Sequence, residues 1–342
     1  MNIVSDHLAS LSIAQPAIYR NMAAWPLVKP GSPPPAYLVL DEALSAGMAR
    51  VTEVSDSGSV PELWLENHAA RPVLLLDGEE LVGARQNRVL NITLLVAAGQ
   101  KLVIPVSCVE QGRWSWTSRE FESSRRAMYA RGRAEKMAQV SRSLRVANAR
   151  HADQAAVWDG VSERARAFSV QSRTGAMSEV YESVEDRLED FRGRLGPRPG
   201  QVGAVFGIDG QVCGLELFDC AATWEKLGPK LADSYAMDAV ASRQPVEKAP
   251  ASRAVADFII RVQQAPVERF ASLALGEDLR LSGAGVVGGG LEASGGLVQL
   301  SAFNAGSDGA ERRSRTRARI VSLARRRAAR EGNPGGGEAS GH

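Results

Sequence analysis

The sequence predicts an α+β protein that forms one large domain over residues 1–304. Residues 11–117 hold short apolar runs between turn residues, residues 125–192 are rich in helix formers, and residues 200–304 mix hairpins with helices. Strands cluster first and helices second, which favours α+β over an alternating βαβ arrangement. With 342 residues, 44% of them hydrophobic, the chain is long enough to bury a sizeable core.

The β-rich segment is predicted to hold six main strands. Each is a short apolar or alternating run that ends near Pro, Gly, Asp or Ser. The six runs are Tyr37–Leu40, Ala49–Val54, Glu62–Glu66, Val73–Leu76, Val89–Val96 and Leu102–Val109. Short connections join the last three runs, so we expect these three strands to lie side by side.

The central segment is predicted to be helical. Residues 125–150 contain no Pro and carry eight basic residues against one acidic residue. Helices are also expected at Ala152–Phe168 and Ser178–Phe191, where acidic residues are in excess. A basic helix face can bind phosphate backbones, but pairing with acidic neighbours is the simpler interpretation.

The C-terminal segment begins with a predicted hairpin. Val202–Ile208 and Gln211–Phe218 flank Asp209-Gly210, a pair that suits the positive φ angles of a type I′ turn. The remaining predicted elements are a helix capped by Asp219 and ending at Leu231, a helix at Ala251–Gln263, and a Gly-rich strand pair at Leu279–Val287 and Leu297–Phe303.

Residues 305–342 form a Gly-, Ala- and Arg-rich segment that we expect to be a disordered tail. It carries nine arginines against four acidic residues, whereas the net charge of the whole chain is only +2. The body of the protein is therefore mildly acidic, which argues against nucleic-acid binding by the body and leaves the tail as a weak contact.

Composition also indicates where the protein works. Its start lacks the basic and apolar regions of a secretory signal, and no run approaches ~18 consecutive apolar residues, so no membrane span is expected. Three cysteines are an odd and sparse set, which fits a reduced compartment better than a disulfide framework. These observations predict a cytoplasmic protein.

Residues 77–114, called the polar motif below, set charged and amide side chains between apolar runs. Asp77, Glu79 and Glu80 place three carboxylates within four positions. Two carboxylates in one pocket can titrate at different pH values and act as an acid–base pair, with Glu110 as a further candidate. The alternative is that Arg85 and Arg88 neutralise the three acids across a tight hairpin.

The amides of the polar motif are candidate ligand-binding groups. If Val89–Val96 is one strand, period 2 places Asn87, Asn91 and Thr93 on one face, beside Gln86 and Arg88 at its start. Side-chain amides supply the donors and acceptors that hold a nucleobase, ribose or carboxylate. The alternative role, common for Asn and Gln, is to satisfy the backbone of loops.

The end of the polar motif offers a second set of candidates. Arg113 beside Trp114 is suited to holding a phosphate or carboxylate next to an aromatic face. We expect Arg113 to converge with the acids of residues 77–80 on one cavity. Cys108 lacks a recognisable histidine partner and reads as a small buried residue, with nucleophilic catalysis as the alternative.

The glycine spacing at residues 283–288 and the His/Cys spacing give no support for a nucleotide site or a metal site. Gly283 to Gly288 matches the glycine spacing of a dinucleotide-binding loop, but another strand follows where such a loop needs a helix. A Gly-rich hairpin is therefore expected there. No His/Cys spacing typical of a metal site is present. The acids at 77–80, with amides nearby, could still hold a hard cation such as Mg²⁺, and the sequence leaves the cofactor and metal unknown.

The polar motif, read as VLLLDGEELVGARQNRVLN and IPVSCVEQGRW, closely resembles the ARG and rhodanese-phosphatase-superfamily-associated protein domain family. The resemblance extends to LVLDEAL at Leu38–Leu44 and GSVPEL at Gly58–Leu63, and covers about Leu11 to Phe303. It implies a role near ADP-ribose or other nucleotide metabolism, by association alone. The motif residues it implies are Asp77, Glu79, Glu80, Gln86, Asn87, Arg88, Asn91, Ser107, Cys108, Glu110, Arg113 and Trp114.

Two functions from different classes follow. In the first, the polar motif forms a pocket that binds or processes a polar, nucleotide-like small molecule such as an ADP-ribose derivative. In the second, the chain is a non-catalytic interaction module, and the same residues form a buried polar network. A cavity lined by Glu80, Asn87 and Arg113 favours the first, and full mutual pairing favours the second.

Overall fold

A computed structural model of the chain describes residues 2–305. This range forms helices and strands in three sheets, all but one of whose strand pairs are antiparallel, which confirms the α+β prediction. The helices are α1 (Ile3–Ala9), α2 (Leu40–Ser45), α3 (Ala130–Ala147), α4 (Gln154–Ala167), α5 (Met177–Glu182), α6 (Glu185–Arg194), α7 (Ala221–Val240) and α8 (Ser252–Gln264). The predicted tail lies, apart from Ala305, outside the described residues.

The strands divide between the two halves of the described chain. The first twelve are β1 (Ser12–Ile13), β2 (Ala17–Tyr19), β3 (Met22–Val28), β4 (Leu38–Val39), β5 (Ala49–Glu53), β6 (Glu62–Asn67), β7 (Val73–Leu75), β8 (Glu79–Gly83), β9 (Arg88–Leu90), β10 (Leu94–Val96), β11 (Lys101–Cys108) and β12 (Phe121–Ala127). The later six are β13 (Gln201–Ile208), β14 (Gln211–Phe218), β15 (Val267–Ala271), β16 (Glu277–Gly283), β17 (Val286–Ala293) and β18 (Gly296–Asn304).

The largest sheet has nine strands in the order β1-β3-β13-β14-β18-β17-β16-β15, with β2 also paired to β3. Successive residues of a strand point to opposite faces, so neighbouring residues of β13 enter different cores. Phe206 packs with Trp224 and Tyr235 of α7, whereas Val205 packs with Phe258 of α8. The sheet therefore separates two hydrophobic cores, and α7 and α8 cover opposite faces.

The polar motif lies in two smaller sheets. One has the strand order β12-β8-β9-β11-β6-β5 and the other β10-β7-β4. Helix α3 lies between these sheets and the nine-stranded sheet. Its residue Met137 belongs to the core beside α7, whereas Val140 and Leu144 pack with apolar residues of the two smaller sheets. One face of α3 thus contacts both halves of the protein.

The predicted hairpin is present as β13 and β14. Ile208 pairs with Gln211, and Asp209 and Gly210 between them have φ angles of 52° and 76°. The Gly-rich hairpin is also present, because Gly283 ends β16, Val286 begins β17 and no helix follows. The pair Leu279–Val287 and Leu297–Phe303 is in fact three strands, since the first predicted strand turns at Ala284.

The prediction of one strand over Val89–Val96 is wrong. The chain leaves the six-stranded sheet after Leu90 and enters the three-stranded sheet at Leu94. The shared face expected for Asn87, Asn91 and Thr93 therefore does not form. For the same reason the expected neighbours are divided between two sheets: β9 pairs with β11 in one, and β10 pairs with β7 in the other.

Other differences arise where tertiary contacts decide the local structure. Met22–Val28 is a central strand that the sequence pattern did not indicate, and Glu79 and Glu80 begin a further strand, β8, directly after the turn at Asp77-Gly78. Arg125 and Arg126 belong to β12, so α3 begins later than predicted. Helix α7 runs past Leu231 and its N-cap is Cys220, because the Asp219 carboxylate accepts a hydrogen bond from Tyr37.

Candidate functional site

The turn after β7 brings Asp77 to helix α3. Gly78 has a φ of 89°, and a Cβ on this residue would lie 2.8 Å from Cδ of Arg133, so the turn requires glycine. The turn directs the Asp77 carboxylate onto the Lys136 ammonium, which also donates to the carbonyl of Leu90 at 2.8 Å. Both side chains are buried, and burial lowers the pKa of Lys136 even though Asp77 opposes this effect.

Glu79 forms a second buried ion pair, on helix α7. Its Oε1 lies 2.8 Å from Nζ of Lys230, and its Oε2 accepts the backbone N–H of Leu76 at 2.7 Å. The same ammonium reaches Oδ2 of Asp41 at 2.6 Å. Two acids thus share one lysine, and burial together with the neighbouring Asp41 charge raises the pKa of Glu79.

Glu110 and Arg113 form a two-pronged ion pair at the end of β11. Arg113 Nε lies 2.9 Å from Oε1 of Glu110, and Nη2 lies 2.6 Å from Oε2. The guanidinium also donates to Oδ1 of Asn87 at 3.1 Å, and the Asn87 backbone N–H donates to Glu110. Burial alone would raise the pKa of Glu110, but these donors outweigh it and lower that pKa.

Gln86, Arg88 and Cys108 form the neighbouring polar cluster. Arg88 Nη1 and Cys108 Sγ both donate to Oε1 of Gln86, at 3.1 and 3.2 Å. The Gln86 amide donates to the backbone carbonyl of Glu110. Arg88 is fully buried, its Nη2 lies 3.9 Å from Glu53, and burial lowers its pKa.

Asn91 and Ser107 satisfy each other and the backbone. The Ser107 hydroxyl donates to Oδ1 of Asn91 at 2.7 Å, and the Asn91 amide donates to the carbonyl of Arg150 at 3.0 Å. The contacts of Asn91 therefore match the alternative in which the amides of the polar motif form hydrogen bonds with backbone groups.

Glu80 differs from the other acids of the polar motif, and Arg88 also keeps two buried nitrogens, Nε and Nη2, without a hydrogen-bond partner in the described chain. Glu80 is fully buried, and neither carboxylate oxygen accepts a hydrogen bond from any residue of the described chain. Burial raises the pKa of Glu80 to about 7, with the Glu110 charge acting in the same direction. The Ser124 hydroxyl and the Arg126 charge lie close enough to favour the ionised form, but neither makes a hydrogen bond of ordinary geometry with Glu80. Glu80 and Glu110 thus have pKa values displaced in opposite directions.

Trp114 lies at the surface, where its side chain is 44% exposed. Arg85 and Arg88 each lie 5.6 Å from the centre of its indole ring, within the range of a cation–π contact. Arg85 also lies 4.8 Å from the Trp116 ring. Arg113, by contrast, donates hydrogen bonds to Glu110 and Asn87, and its use together with Trp114 as an anion site stays a prediction.

Among the cavities within residues 2–305 are two of ligand size. The first has a volume of about 470 Å³ and is open to solvent, and the second has about 380 Å³. The first is lined by Arg50, Thr52, Glu53, Ser55, Asp56, Trp116, Arg119 and Glu120. None of the candidate residues lines either cavity, and no group of three His, Cys, Asp or Glu in this part of the chain could hold a metal ion.

Sequence reasoning missed the partners of the buried acids. Lys136 and Lys230 neutralise Asp77 and Glu79, and Arg133 lies 2.8 Å from Glu216 with both side chains fully buried. One signal was available: Arg133 lies on the same helical face as the apolar residues Met137, Val140 and Leu144. A cation within an apolar stripe requires a buried anion.

The comparisons with known proteins agree with the resemblance seen in the sequence. No curated protein and no solved structure matches the chain. No helix among residues 2–305 has the length and apolar character needed to cross a membrane. The model of the ARG and Rhodanese-Phosphatase-superfamily-associated Protein domain matches residues 10–303, most of the chain. The chain therefore belongs to this domain family.

Proposed function

We propose that the chain is a non-catalytic interaction module and that the polar motif is its structural polar core. The observation that carries this proposal is the pairing of its charges within the chain. Asp77 pairs with Lys136, Glu79 with Lys230 and Glu110 with Arg113. Side chains that satisfy one another leave few donors or acceptors for a ligand.

The pairs connect elements that are distant in the sequence. Lys136 lies on α3 and Lys230 on α7, and both contact acids of the β7–β8 region. A buried ion pair contributes little net stability, yet removal of one partner is strongly destabilising. The role supported by these contacts is therefore to fix the relative position of sheets and helices, which leaves recognition to the outer surface.

A ligand screen combined with a matched pair of variants tests this proposal. ADP-ribose, nucleotides and Mg²⁺ should leave the melting temperature unchanged, whereas a ligand at ~100 times its Kd would add ~2.7 kcal/mol of stability. Arg113→Lys should destabilise the protein by about 1–3 kcal/mol, because lysine cannot make the two-pronged contact with Glu110. The control Arg119→Lys changes an arginine that is 81% exposed and should have little effect.

A second candidate function is the binding or processing of a polar, nucleotide-like molecule such as an ADP-ribose derivative. Glu80 favours it, because it is a buried carboxylate without a hydrogen-bond partner in the described chain and has a pKa of about 7. An acid with a pKa near 7 beside an ionised carboxylate is suited to proton transfer. In this candidate Glu80 is the acid and Glu110 the carboxylate.

The same screen separates the two candidates. If ADP-ribose raises the melting temperature, and Glu80→Gln removes that effect while the protein stays folded, the second candidate replaces the first. Glu79→Gln is a poor control because it breaks the ion pair with Lys230, so Glu122→Gln, an exposed acid of β12, is preferable. Stabilisation that survives Glu80→Gln would contradict the assignment of the ligand to this acid.

A further inference from the structure

A cavity of about 380 Å³ lies between the nine-stranded sheet and helices α6 and α7, and we call it the α6–α7 cavity. Ala24 of β3 and Phe206 of β13 form its floor, and Trp224 of α7 forms a wall. The other lining residues are Glu189, Arg192, Gly193, Leu195, Gly196, Pro197, Gln201, Gly228, Pro229 and Ala232. Its volume falls in the range of small-molecule sites, which are mostly apolar with few polar groups.

The wall formed by α7 carries the two residues least suited to a helix interior. Gly228 and Pro229 are adjacent within this helix of 20 residues, and both line the cavity. A Cβ on Gly228 would lie 2.8 Å from the Trp224 ring, and Pro229 has no N–H for the helical hydrogen bond. Glycine at position 228 therefore lets the Trp224 ring lie directly against its own helix, at the wall of the cavity.

Trp224 presents an unused donor at this wall. The indole nitrogen lies 3.1 Å from the position that a Cβ on Gly228 would occupy, and no residue of the described chain accepts its hydrogen. A tryptophan that is only 4% exposed normally finds a partner for its N–H. An acceptor on a bound molecule would satisfy it.

The charges at the cavity select against anions. Arg192 lies 2.5 Å from Glu185 and 2.9 Å from Asp233, so its charge is already balanced. Glu189 also lines the cavity and adds a negative charge. These charges disfavour an anion, and the mostly apolar lining favours a neutral ligand over a cation.

We propose that the α6–α7 cavity binds a neutral, flat aromatic small molecule that carries one hydrogen-bond acceptor. The ring would pack against Phe206 and Trp224, whose ring centres are 6.5 Å apart with the planes tilted by 30°. The acceptor would meet the indole N–H. This site is separate from the polar motif, so the proposal of ligand binding in the cavity does not depend on the function proposed for the polar motif.

Calorimetric titration with quinoline, a neutral bicyclic ring with one acceptor nitrogen at pH 8, tests the proposal. Wild-type protein should bind quinoline at concentrations below about 1 mM. The anion 2-naphthoate, which has a similar ring system, should bind at least about tenfold more weakly because of the negative charge near Arg192. Absence of quinoline binding, or tighter binding of 2-naphthoate, would overturn the proposal.

Two variants locate the site. Gly193→Leu should weaken quinoline binding at least about tenfold by filling the cavity mouth, since nothing lies within 4 Å of the added Cβ and leucine favours the helix. Arg194→Leu places the same side chain at the next position, outside the cavity lining, and should leave affinity within about twofold. Equal affinity in both variants would show that quinoline binds elsewhere.

Trp224→Phe tests the indole donor alone. It keeps an aromatic wall but removes the N–H, so quinoline should bind about fivefold more weakly, the effect of one neutral hydrogen bond. Naphthalene has no acceptor and should bind both proteins about equally. A loss that is the same for the two ring systems would contradict the role assigned to the N–H.

Discussion

The polar motif and the α6–α7 cavity differ in composition and in open volume: the motif is rich in charged and amide side chains, whereas the cavity is mostly apolar and holds open space. The polar motif gathers acids, amides and arginines, and three of its acids pair with cations of the motif itself or of helices α3 and α7. The cavity has few charges, but glycines, prolines and two aromatic rings surround about 380 Å³ of space. In this protein the polar residues that cluster in the sequence mainly form ion pairs within the fold. The open cavity lies instead beside Gly228 and Pro229, two helix-breaking residues inside α7.

The largest expected effect comes from breaking one buried pair of the polar motif. Lys136→Met should lower the free energy of unfolding by about 3–5 kcal/mol, because it leaves the Asp77 carboxylate buried without its cation. The double variant Lys136→Met/Asp77→Asn removes both charges and should recover much of this loss. Urea denaturation measures both values. Equal losses in the single and double variants would contradict the pairing argument.

The next effect concerns the acid of the polar motif that has no hydrogen-bond partner in the described chain. The folded-state pKa of Glu80 is raised to about 7 from an ordinary value of 4.5, so the folded state holds a proton that the unfolded state releases. The stability contribution of Glu80 is full below pH 4.5 and is lost as pH rises through 7. The loss is on the order of 3 kcal/mol.

Glu80→Gln should therefore flatten the pH dependence of stability between about pH 4.5 and 8. Burial also raises the pKa of Asp233 to about 7, so the wild-type profile contains a second component of the same sign. Asp233→Asn serves as the matched control, and the two variants should each remove part of the slope. A Glu80→Gln profile identical to that of the wild type would show that Glu80 does not titrate in this range.

A smaller effect is expected at the thiol of the polar motif. Cys108 is fully buried, and burial raises the pKa of its thiol, which is unfavourable for a nucleophile. Cys108→Ser should cost about 1–2 kcal/mol, because a hydroxyl is more polar than a thiol in the same contacts. Quinoline affinity at the α6–α7 cavity should not change. A loss above about a hundredfold, in the folded variant, of any catalytic activity found for the protein would restore the nucleophile hypothesis.

The smallest effect is expected at an exposed ion pair on the same helix as Lys136. Arg145 lies 2.5 Å from Glu268, and both side chains are more than a third exposed. Arg145→Ala should change the free energy of unfolding by less than about 1 kcal/mol, and added salt should reduce that difference further. A loss as large as that of Lys136→Met would mean that burial is not what separates the two pairs.

Local signals in the sequence were sufficient for parts of the fold. Asp209-Gly210 predicted its hairpin because a two-residue turn is decided by its own φ angles. The runs Ala49–Val54 and Glu62–Glu66 matched strands within a residue or two, since each alternates between buried and more exposed positions. The fold class followed from the order of such segments.

The sheet order and the partners of the polar motif could not be read in this way. In the sequence Val89–Val96 resembles one strand. In the folded protein it is divided between β9 and β10, which belong to different sheets. Lys136 lies 59 residues from Asp77, and Lys230 lies 151 residues from Glu79, so neither pairing leaves a local pattern. Of the candidate site, the sequence identified the buried acids and amides but not the cations on α3 and α7 that neutralise them.

Arg133 has a consequence for how the molecule unfolds. Its guanidinium lies 2.8 Å from Glu216 on β14 and 3.1 Å from Ser301 on β18, while its side chain packs beneath Gly78 of the polar motif. Separation of the smaller sheets from the nine-stranded sheet would expose this charge pair and open both cores together. Partly unfolded forms that keep one half intact should therefore be scarce, and residues 2–305 should melt in one cooperative transition.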